Sequence, residues 1–193
     1  MTGLGFEGVA AGPLAGIDLH LPPGAVGWLE GATASGKSLL LALAAGLVVP
    51  ESGRVTIDGA PPEPGRVAML FQNPDYQLLG GRVAADVALN APGPEAVEAA
   101  LAATDTEDLR EADPATLTPG QRRRVALAGV LAARPAVALL DVPFAGQGRR
   151  EAVALWRAIR HQFTNQGTAV LVTGDPADDT PGDHRWEVAH WHR

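Results

Sequence analysis

Residues 31–38 read Gly31-Ala32-Thr33-Ala34-Ser35-Gly36-Lys37-Ser38, and this stretch decides the fold. An apolar run at 25–29 precedes it and an Ala/Leu-rich run at 39–49 follows it. Strand, glycine-bounded loop and helix in that order make a phosphate-binding P-loop. The loop's backbone N–H groups can wrap an anion, and the following helix turns its positive dipole end toward it. Lys37 is expected to reach the outer phosphates as a point charge, and the Ser38 hydroxyl to help hold Mg²⁺. The first expectation is therefore a chain that binds a nucleoside triphosphate.

Composition narrows the class. The 193 residues fit one domain with a substantial core; 46% are hydrophobic and 19% charged, which argues against global disorder. The net charge of −7 disfavours a nucleic-acid backbone as the main partner, and the one basic cluster, Arg122, Arg123 and Arg124, is too short to reverse that. With no cysteine, disulfides and thiolate metal sites are excluded. Apolar runs such as 39–49 are too short to span a membrane, and the N-terminus lacks the pattern of a secretory signal. A soluble cytoplasmic chain is expected. His190-Trp191-His192 near the C-terminus reads as a solvated tail rather than a metal site, because no acidic or thiol ligand stands at fixed spacing beside it.

Along the chain, strand-like and helix-like segments alternate, the pattern of an α/β domain around a partly parallel sheet. Short strands are predicted at 4–6, 17–21 and 26–29, with a Pro22-Pro23-Gly24 turn between the last two. Another is predicted at 54–57, where Asp58-Gly59 signals a hairpin, and a further one at 67–71. The Ala-rich section from about 82 to 133 changes character: its charges fall at helical spacing and Pro94 opens an amphipathic helix at 95–103. It reads as a small helical subdomain inserted in the single domain. Then follow a buried strand at 136–140 ending at Asp141, a helix at 149–163, a strand at 169–173 and a short strand near 186–189.

Three further segments carry a family resemblance. Phe71-Gln72-Asn73-Pro74-Asp75-Tyr76-Gln77-Leu78 resembles the Q-loop of ABC-type ATPases, and its continuation through Val83-Ala84-Ala85-Asp86-Val87-Ala88 is similar to the ATPases of energy-coupling-factor importers. Leu117-Thr118-Pro119-Gly120-Gln121 and the helix after it resemble the ABC signature. The strand ending at Asp141, followed by Pro143, resembles Walker B. The resemblance implies an ABC-ATPase fold: a mixed β-sheet core, an antiparallel N-terminal β subdomain and a small inserted helical subdomain. It implies ATP and Mg²⁺ as ligands, with Ser38, Gln72 and Asp141 at the metal. It implies a second ABC ATPase subunit, paired head-to-tail so that each signature faces the other's nucleotide, and a transmembrane subunit docking beside Gln72. The chain would then sit on the inner face of the cell membrane through its partners. Thr118 and Gln121 also form a T-x-x-Q capping box with Pro119 at the first helical position, a purely structural reading compatible with the functional one.

The departures are as informative. The family's catalytic glutamate after the Walker B aspartate is Val142 here, its switch histidine is Gly174, and its D-loop aspartate is missing from Ala145-Gly146-Gln147-Gly148. Pro119 replaces a glycine and removes one N–H, Ala34 stands where glycine is common, and the adenine-stacking aromatic is replaced near Gly8 or Val9. Groups that would bind triphosphate and metal remain, while those that would drive hydrolysis are gone. A subunit that binds ATP but hydrolyses it weakly or not at all is expected; the alternative is a soluble pseudo-ATPase acting as a nucleotide-gated interaction protein.

Overall fold

The computed structural model describes residues 3–174 and 182–192. Antiparallel and parallel pairing are both present, divided between two sheets. The first is three-stranded and antiparallel in the order β2-β1-β4, from β1 (Leu4–Ala11), β2 (Leu14–Leu21) and β4 (Ser52–Ile57). The second is parallel in the order β5-β6-β7-β3-β8, from β3 (Val26–Glu30), β5 (Val67–Leu70), β6 (Val137–Leu140), β7 (Ala169–Thr173) and β8 (His184–Glu187).

Side chains alternate across a strand, so a parallel sheet needs cover on both faces. Ala138, Leu140, Val170 and Val172 point into one apolar core, together with α4 (Pro119–Ala132) and α5 (Arg149–Gln166). Val137, Leu139, Ala169 and Leu171 point into the other, which contains α1 (Lys37–Ala44) and the antiparallel sheet. In α5 the buried residues Ala152, Leu155, Trp156, Ile159 and Phe163 recur at helical spacing, and Gly167 closes the helix at φ 70. Trp156 packs edge-on against Trp28 of β3, ring centroids 5.7 Å apart, and both are fully buried. Burying side chains of this size contributes about 1.5–3 kcal/mol or more each.

The Ala-rich section folds as α2 (Val83–Ala88) and α3 (Pro94–Ala103), both packed on α4. Pro94 occupies the first position of α3, as the sequence predicts. The apolar run at 39–49 yields a shorter helix than its composition invites. Gly46 at φ 71 follows the end of α1, and Leu47 and Val49 are left exposed.

Asp58-Gly59 forms the predicted two-residue turn: both residues have positive φ, and Ile57 and Ala60 exchange backbone hydrogen bonds of 2.7 and 3.1 Å. The Asp58 carboxylate accepts from the Gly3 N–H at 2.6 Å and pairs with Arg66. The Gly3 bond, then Arg66, hold its carboxyl below the usual carboxylate range against the opposing effect of burial. The stability this supplies is present above the unfolded value of about 3.9 and is lost as pH falls through the lower folded value. Asp58→Asn should therefore lower stability at pH 7, and the gap to wild type should close in urea titrations run below about pH 4. A gap that persisted at pH 2 would refute the linkage.

Candidate functional site

The C-terminal ends of parallel strands lie along one edge of the sheet, where α/β folds gather their ligands. The P-loop leaves β3, Gln72 follows β5, Asp141 follows β6, and Gly174 follows β7. Gln72, Asp141, Val142, Gly174 and all eight loop residues line one groove of about 600 Å³. The sequence-predicted binding groups are thus brought together, and so are the two positions where the sequence departs from the expected catalytic residues.

The loop depends on unusual backbone angles. Gly31 has φ 144, Ala34 φ 63 and Gly36 φ 99. Gly36 also lies under Leu14, so an added Cβ would come within 2.9 Å of that side chain. Ala34 holds a left-handed conformation that costs an L-residue about 1–2 kcal/mol. Ala34→Gly should raise stability by about 0.5–1 kcal/mol, read as a higher urea midpoint. A midpoint unchanged or lowered would mean the loop relaxes this angle in solution.

Lys37 Nζ donates to the carbonyls of Gly31 and Ala32 at 2.7 and 2.8 Å, with Ser35 Oγ at 3.5 Å. Ser38 Oγ donates to Asp141 Oδ2 at 2.9 Å, across 103 residues of sequence. Thr173 Oγ1 donates to Asp141 Oδ1 at 2.6 Å and accepts from the Val142 N–H at 3.1 Å. Asp141 is buried, while Ser38 is exposed on the groove side. A hydroxyl and a carboxylate oxygen at this separation, one buried and oriented by a third residue, form a hard-oxygen donor set that fits Mg²⁺.

Val142 stands at φ 48, an outlier for a β-branched residue. Its backbone is tied on both sides: Thr173 takes its N–H, and its carbonyl accepts from Arg123 Nη1 at 3.0 Å and from Ala145 N at 3.2 Å. Gly174 has φ 124, a region L side chains rarely adopt. Asp175 and residues 176–181 lie outside the described residues.

Leu117 is buried, and Thr118 to Gln121 open α4 with a complete capping box. Thr118 Oγ1 accepts from the Gln121 N–H at 3.3 Å, and Gln121 Oε1 accepts from the Thr118 N–H at 2.9 Å. Pro119 supplies no N–H, so Gly120 carries the first helical donor free of both devices.

Two groups escaped the sequence reading. Thr173 was legible only as the last residue of a buried strand, and Arg123 only as the middle of a basic cluster. Arg123 is buried, and its Nη2 donates to the Gln72 carbonyl at 2.6 Å. The C-terminal segment requires a correction. Val188 is fully buried, Trp191 packs against the core, His192 bridges to Leu14, and its ring Nε2 lies 2.9 Å from the Ser35 carbonyl. Apolar Val188 and Trp191 find a site beside β2, which outweighs the polarity of the histidines around them.

Known proteins match this geometry. The family profile described as ABC transporter matches residues 14–145. The chain is 39% identical over 173 residues to the aliphatic sulfonates import ATP-binding protein SsuB of Rhodopseudomonas palustris, covering 86% of this chain and 61% of that protein. It is 33% identical over 186 residues to the energy-coupling factor transporter ATP-binding protein EcfA1 of Leuconostoc mesenteroides, covering 86% of this chain and 68% of that one. The chain thus spans about two thirds of the length of these relatives. Among solved structures, CbiO1 of Clostridium perfringens, described as part of the ABC transporter complex CbiONQ, superposes with a TM-score of 0.82 at 28% identity, covering 95% of this chain and 83% of that one. A P-loop whose serine meets the aspartate closing β6, in a chain whose residues 14–145 match the ABC transporter family, places this chain in the family of ABC transporter ATP-binding proteins.

Proposed function

We propose that this chain is the ATP-binding subunit of an ABC-type importer, with weak or no hydrolysis of its own. The observation that carries the reading is the contrast along one groove. Lys37 is hydrogen-bonded to the loop carbonyls and Ser38 to Asp141, groups suited to phosphates and Mg²⁺, while Val142 and Gly174 offer no group that takes a proton or orients water. ATP would lie on Gly31 to Ser38, with Ser38, Asp141 and Gln72 around the Mg²⁺. Leu117, Thr118, Pro119, Gly120 and Gln121 would face the nucleotide of a second ABC ATPase paired head-to-tail, and that partner's own site could still turn over.

A transmembrane partner is supported by the surface beside Gln72. Leu47, Tyr76 and Leu79 are 64%, 77% and 74% exposed there or close by. Exposed apolar side chains clustered next to a functional loop mark an interaction site. No helix among the described residues is long and apolar enough to cross a membrane, so membrane attachment would come through that partner. The relatives named for sulfonate import and for an energy-coupling factor transporter support an importer.

The test is to tag the chain in its native cell, solubilise membranes gently with Mg²⁺ and ATP present, and identify what co-purifies. A second ABC ATPase together with a transmembrane protein is the expected result. Recovery of the chain alone from the soluble fraction would replace this reading with a free-standing, ATP-binding pseudo-ATPase.

A further inference from the structure

Arg122, Arg123 and Arg124 open α4 with three consecutive cations, and only Arg123 is buried, at 9% exposure. Its two terminal nitrogens donate to carbonyls of two different connections, Gln72 after β5 at 2.6 Å and Val142 after β6 at 3.0 Å. A planar guanidinium can hold two acceptors in fixed directions at once, which an ammonium cannot. Burial pushes the Arg123 guanidinium below its usual value, and the nearby Asp141 carboxylate opposes that shift. Beside it, Arg122 pairs with Asp75 at 3.0 Å, a second tie from α4 to the same loop.

The two tethered residues flank the metal donors. Gln72 lines the groove with Ser38, and Val142 is bonded directly to Asp141 in the chain. Val142 keeps its φ of 48 only because its surroundings over-determine it, and Arg123 is one of three hydrogen-bond partners on its backbone.

We infer that Arg123 is a positioning residue of the metal–nucleotide site: from the signature helix it fixes the backbones of Gln72 and Val142, and so links metal-dependent nucleotide binding to the placement of α4. This rests on the reading that the chain binds Mg²⁺ and ATP. By linkage, whatever displaces α4 weakens the metal-dependent part of binding, and metal with nucleotide holds α4 in place. The P-loop part of binding, which Arg123 does not touch, is spared.

The experiment measures ATP affinity of the purified full chain by calorimetry, once with Mg²⁺ and once with EDTA, for wild type, Arg123→Met and Arg123→Lys. For Arg123→Met the affinity with Mg²⁺ should fall about 10-fold, as for groups that orient metal ligands, while the affinity in EDTA changes less than about 2-fold. Arg123→Lys keeps the charge and loses the fork, so it should show the same split at smaller size. If Arg123→Met does not fold, the split in Arg123→Lys decides alone. Equal losses in both media would reduce Arg123 to a general structural role, and no loss in either would remove the link; both overturn the inference. Wild type that binds no ATP in either medium would overturn the function reading and this inference with it. Wild type that binds normally, with variants showing no split, would overturn this inference alone.

Discussion

Val142→Glu should raise ATP turnover at this chain's P-loop by about 10²-fold or more when a signature-bearing partner closes the site. Position 142 lines the same groove as Lys37 and Ser38, and its backbone is pinned between Thr173 and Arg123. A glutamate there starts from a fixed backbone beside the metal donors. It also removes a β-branch from a residue at φ 48, so the substitution adds no backbone strain to what valine already carries. Phosphate release by wild type and variant, measured with an excess of hydrolysis-deficient partner, reads the effect. A gain below about 3-fold would show that the missing carboxylate is not what limits this site. Recovery should stay incomplete, because position 174 still carries no side chain; Gly174→His would have to hold an L side chain at φ 124, at a cost of about 1–3 kcal/mol.

Lys37→Ala should weaken ATP binding by about 10²-fold or more. The ammonium lies over the loop on two of its carbonyls, 2.7 and 2.8 Å away, and is half-buried. Phosphate oxygens would compete for the same three donors, and charge-assisted bonds of this kind contribute about 1.5–3 kcal/mol each. Calorimetry with ATP in EDTA isolates this contribution from the metal's. An affinity within about 3-fold of wild type would mean that nucleotide does not sit on this loop at all.

The P-loop was legible because its parts are local. Gly31, Gly36, Lys37 and Ser38 stand within eight residues, and their spacing carries the mechanism. The start of α4 was legible for the same reason: T-x-x-Q with Pro119 specifies a cap from four residues, and the capping box forms as written. Asp141 was identified by its place after an apolar strand, yet its bond to Ser38 spans 103 residues and no periodicity encodes it. Thr173 and Arg123 act over 19 to 51 residues, through the order in which β5, β6 and β7 lie side by side. That order is a property of the assembled sheet, so neither residue differs in sequence from an ordinary strand end or an ordinary surface arginine. The C-terminal segment misled for a related reason: its polar histidines outweighed Val188 and Trp191 in a local reading, and the surface that buries them belongs to β2 at the far end of the chain.

The edge-on tryptophan pair in the core gives the molecule an optical probe of its own. Trp28 lies two residues before the end of β3, the strand that delivers the P-loop, and Trp156 sits 5.7 Å from it in α5. Phe144, two residues past Val142, also meets Trp156 edge-on, with centroids 5.9 Å apart. One buried indole thereby touches both β3, which leads into the P-loop, and the turn that follows β6, without any attached label. A displacement of the 141–144 turn would change the surroundings of Trp156, so its share of the emission from the chain's four tryptophans would follow movement of that turn.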